Sequence, residues 1–384
     1  MACESNSAMC LRLGLILLVL CLTGCVEKTP RQDPLQLGQL LGGSDVSGYD
    51  RATTPRVFEF PRDHGPHPAF RNEWWYLTGN LVAKDGHRLG YQVTFFRNAL
   101  SPIEEAQSLK QQNPSQWLSD SAWMAHAAVS DLGDGQHLYG QRFSRSSPGL
   151  AGAQANPLRV WLDDWSLSGQ KHWQLKVIDR NFAIELDLRS AKPPVLQGNK
   201  GLSQKGRAPG NASYYYSITR IHSRGKVRVG DVVYEVDGLS WFDREWSTSA
   251  LDDDMEGWDW FALQFDDGRD LMYYQLREFT GGAHPNSQGG RVAANGQYEL
   301  LSRNDIDLVE LDHWRAPNGF DYAVRWRMSD RTTGEQWLIE APVRNQYMDL
   351  AVKYWEGAVV IYELPNRKPV GRGYLEMTRI NPEG

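Results

Sequence analysis

The sequence predicts an all-β protein built from two antiparallel β domains in tandem, each a sandwich or a barrel. Short segments of alternating apolar and polar residues recur along the chain, as at 182–188, and no stretch has the spacing of a long amphipathic helix. The length of 384 residues suits about two domains. The pattern Asp-Gly-x-x-Leu-x-Tyr occurs at 85–91 and again at 267–273, which favours a duplicated β unit over a chance echo.

The N-terminal segment 1–24 is predicted to be an export signal. Arg12 precedes an apolar run at 13–22, which is too short to span a bilayer. The run ends in Leu-Thr-Gly-Cys25, which resembles the bacterial lipobox, where cleavage precedes a cysteine that becomes lipid-modified. We therefore expect a lipoprotein signal peptide. An ordinary cleaved signal is the alternative, and Met9 is an alternative start.

Lipidation of Cys25 would anchor the chain in a membrane, because several acyl chains together give stable anchoring that a single chain does not. Residues 25–55 are rich in Gly, Gln, Asp and Thr and are expected to form a flexible tether. The residue after the lipobox cysteine is Val26 and not Asp, which resembles the pattern of lipoproteins sorted to the outer membrane. We therefore expect a location in the bacterial cell envelope, facing the periplasm. All four cysteines lie within the first 25 residues, so the folded body has neither a disulfide nor a thiol nucleophile.

The folded body is predicted to divide at an acidic segment. We expect the N-terminal β domain at 56–246, a linker at 247–257 and the C-terminal β domain at 258–384. Residues 101–122 interrupt the strand pattern and are predicted to be an insertion between strands of the first domain. The two domains thus account for almost all of the chain that follows the tether.

Composition favours an apolar small molecule or lipid as the partner. The net charge is −6 and the Lys and Arg residues are scattered, so the basic surface that nucleic-acid binding requires is missing. The 15 Trp and 16 Tyr residues are numerous enough to line an apolar cavity as well as fill two cores. The sequence contains no P-loop, dinucleotide fingerprint or nucleophile elbow, so no cofactor is expected. The sequence predicts no particular protein partner.

A polar cluster before the first long strand is the first candidate site. His64, His67 and Glu73 have the chemistry of zinc ligands. However, Pro66 and Pro68 stiffen the loop, and two histidines outside a helix have no defined spacing, so we expect no metal. The open alternatives are a catalytic role for His64 and Glu73 with ligand contact by His67, or a purely structural role.

Three aromatic residues follow this cluster and are candidate ligand contacts: Trp74, Trp75 and Tyr76. Successive side chains of a strand point to opposite faces of the sheet. Trp74 and Trp75 therefore cannot both face the same cavity, and one of them is expected to be ordinary core.

The second candidate site lies at 241–246. Asp243 and Glu245 are two residues apart and share one face of a predicted strand. Paired carboxylates near aromatic rings can have different pKa values, so that one remains protonated as a general acid. Trp241 and Trp246 are the candidate ligand contacts beside them, and an ion pair with Arg244 is the structural alternative. The later pair Tyr354 and Trp355 is a further candidate contact, with a structural role as its alternative.

Five motifs resemble one known family: Phe60-Pro-Arg-Asp-His-Gly-x-His67, Glu73-Trp-Trp-Tyr-Leu-Thr-Gly-Asn-Leu81, Asp243-Arg-Glu-Trp246, Tyr354-Trp-Glu-Gly357 and Gly371-Arg-Gly-Tyr-x-Glu376. They are similar to motifs of the AttH-like proteins, a group related to the bacterial carotenoid hydratases (hydroxyneurosporene synthases). The resemblance covers residues 56–380. It implies two lipocalin-like β-barrels joined in one chain, which agrees with the fold predicted from the strand pattern.

The resemblance also implies candidate chemistry. The related hydratases add water to a terminal isoprenoid double bond without a cofactor, which requires a strong acid in a dry pocket. The sequence thus leads to an envelope lipoprotein that binds an isoprenoid or lipid in a β-barrel pocket, with acid-catalysed hydration or isomerisation of an apolar alkene as the enzymatic option. The alternative is a non-catalytic carrier or scaffold protein.

Overall fold

The computed structural model describes residues 46–112, 119–146, 149–249, 251–252 and 254–379. The predicted signal peptide, the predicted lipidation site Cys25 and most of the predicted tether lie outside these residues. The all-β prediction is confirmed, because 61% of the described residues are in strands and 4% are helical. Two barrel-like sheets make up the fold, one nearly closed and one a half-barrel. Within the described ranges, no helix combines the length and apolarity needed to cross a membrane.

The first sheet contains thirteen strands. They are β1 Asn72–Ala83, β2 Arg88–Ala99, β3 Ser121–Asp131, β4 Gln136–Arg145, β5 Ala151–Ala155, β6 Leu158–Leu162, β7 Trp165–Gly169, β8 Trp173–Ile178, β9 Phe182–Ser190, β10 Val195–Leu196, β11 Leu202–Gln204, β12 Ala212–Val229 and β13 Val232–Ser247. Their order is β4-β3-β2-β1-β13-β12-β9-β8-β7-β6-β5, with β10 and β11 paired to β12. Helix α1, Ile103–Gln112, lies within the predicted insertion.

The second sheet contains ten strands. They are β14 Met255–Phe265, β15 Asp270–Glu278, β16 Gln288–Val292, β17 Tyr298–Ser302, β18 Ile306–Arg315, β19 Asp321–Asp330, β20 Gln336–Glu340, β21 Tyr347–Asp349, β22 Lys353–Glu363 and β23 Lys368–Thr378. Their order is β17-β16-β15-β14-β23-β22-β20-β19-β18, with β21 paired to β22. The chain passes from the first sheet to the second between Ser247 and Met255.

The repeated sequence pattern forms the same hairpin in both sheets. Asp85-Gly86 turns the chain from β1 to β2, and Asp267-Gly268 turns it from β14 to β15. Gly86 and Gly268 both have φ +89°, a left-handed conformation that favours glycine. In each sheet the first strand of this hairpin also pairs with the last strand, β13 in one case and β23 in the other. The shared topology supports a duplication.

Successive side chains of the central strands point alternately to the interior of their own barrel and to the other sheet. One face of β1, including Trp75 and Leu77, belongs to the apolar core that fills the first barrel, and Phe261 belongs to the core of the second. The opposite faces pack the two sheets together in a third apolar cluster that includes Tyr76 and Trp260. All described residues belong to one compact unit. The fold therefore buries both faces of its central strands.

Candidate functional site

A narrow, largely apolar cleft lies where the two sheets meet, and we call it the inter-sheet cleft. Its walls are Trp74, Tyr76, Thr94, Phe96, Lys205, Tyr215, Asp243, Glu245, Leu251, Trp258, Trp260, Tyr274, Leu276, Val352, Tyr354, Glu376 and Thr378. Its volume is about 860 Å³, which includes the part open to solvent. Aromatic side chains from both sheets line it, including Trp74, Tyr215, Trp258 and Trp260, so the cleft is a slot between aromatic walls. The slot lies between the sheets, whereas the barrel interiors are filled by side chains.

Strand register explains how distant residues meet in the inter-sheet cleft. In the first sheet, Thr94, Tyr76 and Asp243 lie directly opposite one another on the adjacent strands β2, β1 and β13. In the second sheet, Glu376 lies opposite Trp260 on β14. Directly opposed residues project from the same face. Each sheet therefore presents a row of polar and aromatic side chains to the other.

Asp243 is a buried carboxyl surrounded by hydrogen-bond donors. Its Oδ1 accepts from Ser217 Oγ at 2.5 Å and from Trp241 Nε1 at 2.7 Å, and its Oδ2 accepts from Tyr215 Oη at 2.6 Å. Burial raises the pKa of Asp243 to about 7, while these three hydrogen bonds oppose the rise. Asp243 therefore changes its charge near neutral pH inside an aromatic cleft.

A second acidic group consists of Glu356 and Glu376. They lie directly opposite each other on β22 and β23; Glu356 is fully buried, and Glu376 is partly exposed to the cleft. Tyr76 Oη donates a hydrogen bond to Glu356 Oε1, and Trp258 Nε1 donates to Glu376 Oε1 at 2.9 Å. Burial and the neighbouring carboxyl raise the pKa of Glu356 well above its usual range, and burial raises that of Glu376 to about 7. Burial therefore favours the protonated form of both carboxyls.

Glu245, the other predicted acid, has a different environment. It forms an ion pair with Lys205 and accepts a hydrogen bond from Ser213. The Lys205 ammonium also lies 5.2 Å from the centroid of the Tyr274 ring and 5.9 Å from that of Trp74. These contacts hold the pair at one wall of the inter-sheet cleft, where the two charges neutralise each other.

Tyr354 lines the inter-sheet cleft and is held from behind by a histidine. Its hydroxyl lies 2.7 Å from His126 Nδ1, and the two rings are stacked. Burial lowers the pKa of His126 to about 3, so this imidazole is neutral across the physiological pH range. The contact orients the Tyr354 hydroxyl without adding a charge to the site.

The structure places the predicted site residues in three locations. Asp243, Glu245, Trp74, Tyr76 and Tyr354 line the inter-sheet cleft, and Trp241 donates to Asp243 from behind it. Trp75 and Trp246 are packed in the first core, and Trp355 is packed in the second. The last group, His64, His67 and Glu73, contributes no side chain to the walls of the cleft.

Glu73 and its neighbours form a buried structural network. Glu73 forms ion pairs with Arg97 and Arg244, and the His67 ring stacks 3.6 Å from Trp246. Although burial disfavours its charged form, the two arginines hold the pKa of Glu73 well below its usual range. Burial lowers the pKa of His64 to about 4. These contacts favour the structural interpretation of this cluster over the catalytic one.

No group of three or more His, Cys, Asp or Glu residues within the described ranges has an arrangement that could hold a metal ion.

Several residues of the inter-sheet cleft were missed by the sequence reasoning. Trp258, Trp260 and Tyr274 belong to the second sheet, and Lys205 lies in a Gly- and Pro-rich loop. Glu376 closes one of the family motifs but was not among the predicted site residues. The sequence does show that Trp258 and Trp260 alternate on β14 as Trp74 and Tyr76 do on β1. This alternation could not show that the aromatic faces of the two strands oppose each other.

Comparison with known proteins identifies the family. The sequence model of the AttH-like proteins matches residues 51–379, and the chain belongs to this family. A crystal structure of a protein assigned to AttH from Nitrosomonas europaea is 31% identical, covers 86% of this chain and 99% of its own, and has a TM-score of 0.75.

A more distant structure shares the fold. Kievitone hydratase from Nectria haematococca is 14% identical, covers 88% of this chain and 98% of its own, and has a TM-score of 0.62. At this identity the likeness concerns the fold alone. No match was found among curated protein sequences.

Proposed function

We propose that this protein binds an apolar small molecule in the inter-sheet cleft and protonates a carbon–carbon double bond in it, leading to hydration or isomerisation without a cofactor. The observation that carries the proposal is the presence of carboxyls with raised pKa, Asp243 and Glu376, on the walls of an aromatic slot. Groups with perturbed pKa values that line a pocket are candidate catalytic groups.

The surroundings suit a reaction through a positive intermediate. Protonation of an alkene leaves a carbocation, which the faces of aromatic rings attract. Trp74, Trp258, Trp260 and Tyr274 supply such rings around the acidic groups. Addition of water to the cation and loss of its proton give an alcohol, whereas loss of a neighbouring C–H proton gives an isomerised alkene. A fold shared with a protein named as a hydratase is compatible with this chemistry.

The first test determines whether the cleft is occupied. Residues 26–384, produced in a bacterial periplasm, are analysed by native mass spectrometry and organic extraction. We expect a stoichiometric apolar molecule, and Trp260→Ala should reduce its occupancy. A mass of the protein alone, with no uptake of squalene or geranylgeraniol as probes, would refute the binding function.

The second test separates catalysis from carriage. The protein is incubated with each probe in ¹⁸O-labelled water, and the products are examined for gain of one labelled water. A labelled alcohol is expected from the wild type and lost in Asp243→Asn. Asp237→Asn is the matched control, because Asp237 is an exposed carboxylate on the same strand. Stoichiometric binding of a probe without conversion would support the carrier alternative.

We also propose that Cys25 carries the lipid that anchors this protein in the bacterial envelope, on the basis of the lipobox-like sequence at its position. The wild type, produced in a Gram-negative host with labelled palmitate, should incorporate the label and sediment with outer membranes. Cys25→Ser should abolish both. Label in the Cys25→Ser protein, or none in the wild type, would contradict the assignment.

A further inference from the structure

We infer that the Glu356–Glu376 pair supplies the proton to the ligand and that Asp243 is the proton acceptor. This division of roles rests on the proposed function and deepens it, because Asp243 is the more obvious acid from sequence. The hydrogen-bond partners of the carboxyls differ between the two groups.

The three partners of Asp243 all donate to it, and one of them has a fixed direction. Trp241 Nε1 can only donate. Tyr215 Oη accepts from Trp260 Nε1 at 3.2 Å and donates its own hydrogen to Asp243. Ser217 Oγ likewise accepts from Gln197 Nε2 at 2.8 Å and donates to Asp243. A protonated Asp243 would direct its hydrogen at donors, whereas the carboxylate satisfies all three.

The Glu356–Glu376 pair has the opposite pattern. Each carboxyl accepts one hydrogen bond, from Tyr76 and from Trp258 respectively. Glu356 Oε2 is buried and has no hydrogen-bond partner among the described residues. Among the residues that the structure describes, no Lys, Arg or His forms an ion pair with either glutamate. Two carboxylates facing each other without a cation repel, so the pair is stable only when it holds a proton.

The two groups are placed to act on one ligand. Glu376 and Asp243 both line the inter-sheet cleft, from opposite sheets, and Glu356 stands behind Tyr76. The charged and titratable neighbours of the pair are Asp243 and Glu245 on β13, Tyr76 on β1, Lys205 after β11, Tyr354 on β22 and Tyr374 on β23. The positive charge of Lys205 is balanced by its ion pair with Glu245. Lys205 therefore does not replace the proton that the Glu356–Glu376 pair requires.

The proton balance of the reaction closes within the cleft. The Glu376 carboxyl gives its proton to one alkene carbon, whose π electrons form the new C–H bond and leave a cation on the neighbouring carbon. The oxygen of a water molecule bonds to that cation, and the excess proton of the oxonium moves to the Asp243 carboxylate. Transfer of the proton from Asp243 back to the glutamate pair through water restores the starting state.

Infrared spectroscopy tests the assignment without any ligand. At pH 8 the wild type is expected to show the C=O band of a buried protonated carboxyl, identified by its shift in D₂O. The band should be retained in Asp243→Asn and lost in the double variant Glu356→Gln, Glu376→Gln. Absence of the band from the wild type, its persistence in the double variant or its loss in Asp243→Asn would overturn the assignment.

Single variants keep the test available if the double variant does not fold. Glu356→Gln and Glu376→Gln should each shift or remove the band, whereas Asp243→Asn should leave its frequency unchanged. A shift confined to Asp243→Asn would overturn the assignment. Because no ligand is present, these results do not depend on whether the proposed reaction occurs.

Kinetics with a converted probe supply the second readout. Glu376→Gln and Asp243→Asn should each lower kcat by about 10²–10⁴-fold, the usual contribution of a general acid or base, with a smaller change in KM. The acidic limb of the pH profile should disappear in Asp243→Asn and the basic limb in Glu376→Gln. The reverse assignment of limbs would refute the roles, whereas conversion of no probe would count against the proposed function alone.

Discussion

Trp74 and Trp75 are neighbours in sequence with different roles, because successive side chains of a strand point to opposite faces. Trp74 lines the inter-sheet cleft, and Trp75 is fully buried in the first core. The alternation rule predicted that only one of them could face a ligand. The same rule places Tyr76 and Asp243 together, since they lie opposite each other in register.

The acidic residues of the cleft should make stability fall as pH rises. A carboxyl whose pKa is raised on folding stabilises the folded state fully below its unfolded pKa, and this contribution is lost as pH rises through the folded pKa. For Glu376 the interval runs from 4.5 to about 7. The free energy of unfolding of the wild type should therefore fall between pH 5 and pH 8. In Glu376→Gln this fall should be smaller by an amount on the order of 2 kcal/mol.

Urea unfolding at the two pH values measures this difference. Asp237→Asn serves as the control and should keep the wild-type pH dependence, because its carboxylate is exposed. An unchanged pH dependence in Glu376→Gln would contradict a buried, protonated pair.

At the scale of strands, a buried ion-pair network fixes how β1, β2 and β13 meet the loop before them. Glu73 on β1 binds Arg97 on β2 and Arg244 on β13. Arg244 also stacks over Trp75, with its guanidinium carbon 3.8 Å from the ring centroid, and donates to the backbone oxygen of Gly65 at 2.7 Å. The second sheet has a similar device, because Asp259 pairs with two arginines of its own.

Removal of one member of this network should be costly. Arg244→Met leaves the Glu73 carboxylate buried with one partner fewer, and loss of one partner from a buried ion pair typically costs about 3–5 kcal/mol. We expect a decrease of that size in the free energy of unfolding by urea. Arg224→Met, at an exposed position on β12, should change it by less than about 1 kcal/mol. A comparably small effect at Arg244 would show that the network does not stabilise the strands.

At the scale of the whole molecule, the two sheets depend on each other. Asp270 on β15 is fully buried and binds Lys192 and Arg220, both from the first-sheet part of the chain, at 2.7 and 2.6 Å. The apolar cluster between the sheets adds Tyr215 and Trp260 to this contact. The inter-sheet cleft exists only where both sheets are present, so either half alone would lack one wall.

Loss of Asp270 should therefore destabilise both sheets together. Asp270→Ala leaves two cations without their buried partner, and we expect a cost of about 3–5 kcal/mol. Calorimetry should show one unfolding transition in the wild type and one at lower temperature in the variant. Asp267→Ala, three residues earlier and half exposed, is the matched control. Two transitions, with only one displaced in Asp270→Ala, would mean that the sheets unfold independently.

The predicted strands show how far local pattern reaches. The alternating segment at 182–188 lies within β9. Helix α1 was not predicted, because its residues are mostly polar and offer a weak periodic signal. For the site, pattern placed Asp243 and Glu245 on one face. It left catalytic and structural roles open for His64 and Glu73, because their partners Tyr216, Arg97 and Arg244 are distant in sequence.

The sequence by itself determined the all-β fold, the repeated hairpin and the family, because alternation, turn residues and extended motifs are local properties of the chain. It also determined that Trp74 and Trp75 face opposite ways. Only the tertiary structure decided that the open cavity lies between the sheets, where Tyr76 and Glu356, 280 residues apart, share a hydrogen bond. Burial and the approach of distant carboxyls set the pKa values of this site, and both depend on the packing of one sheet against the other.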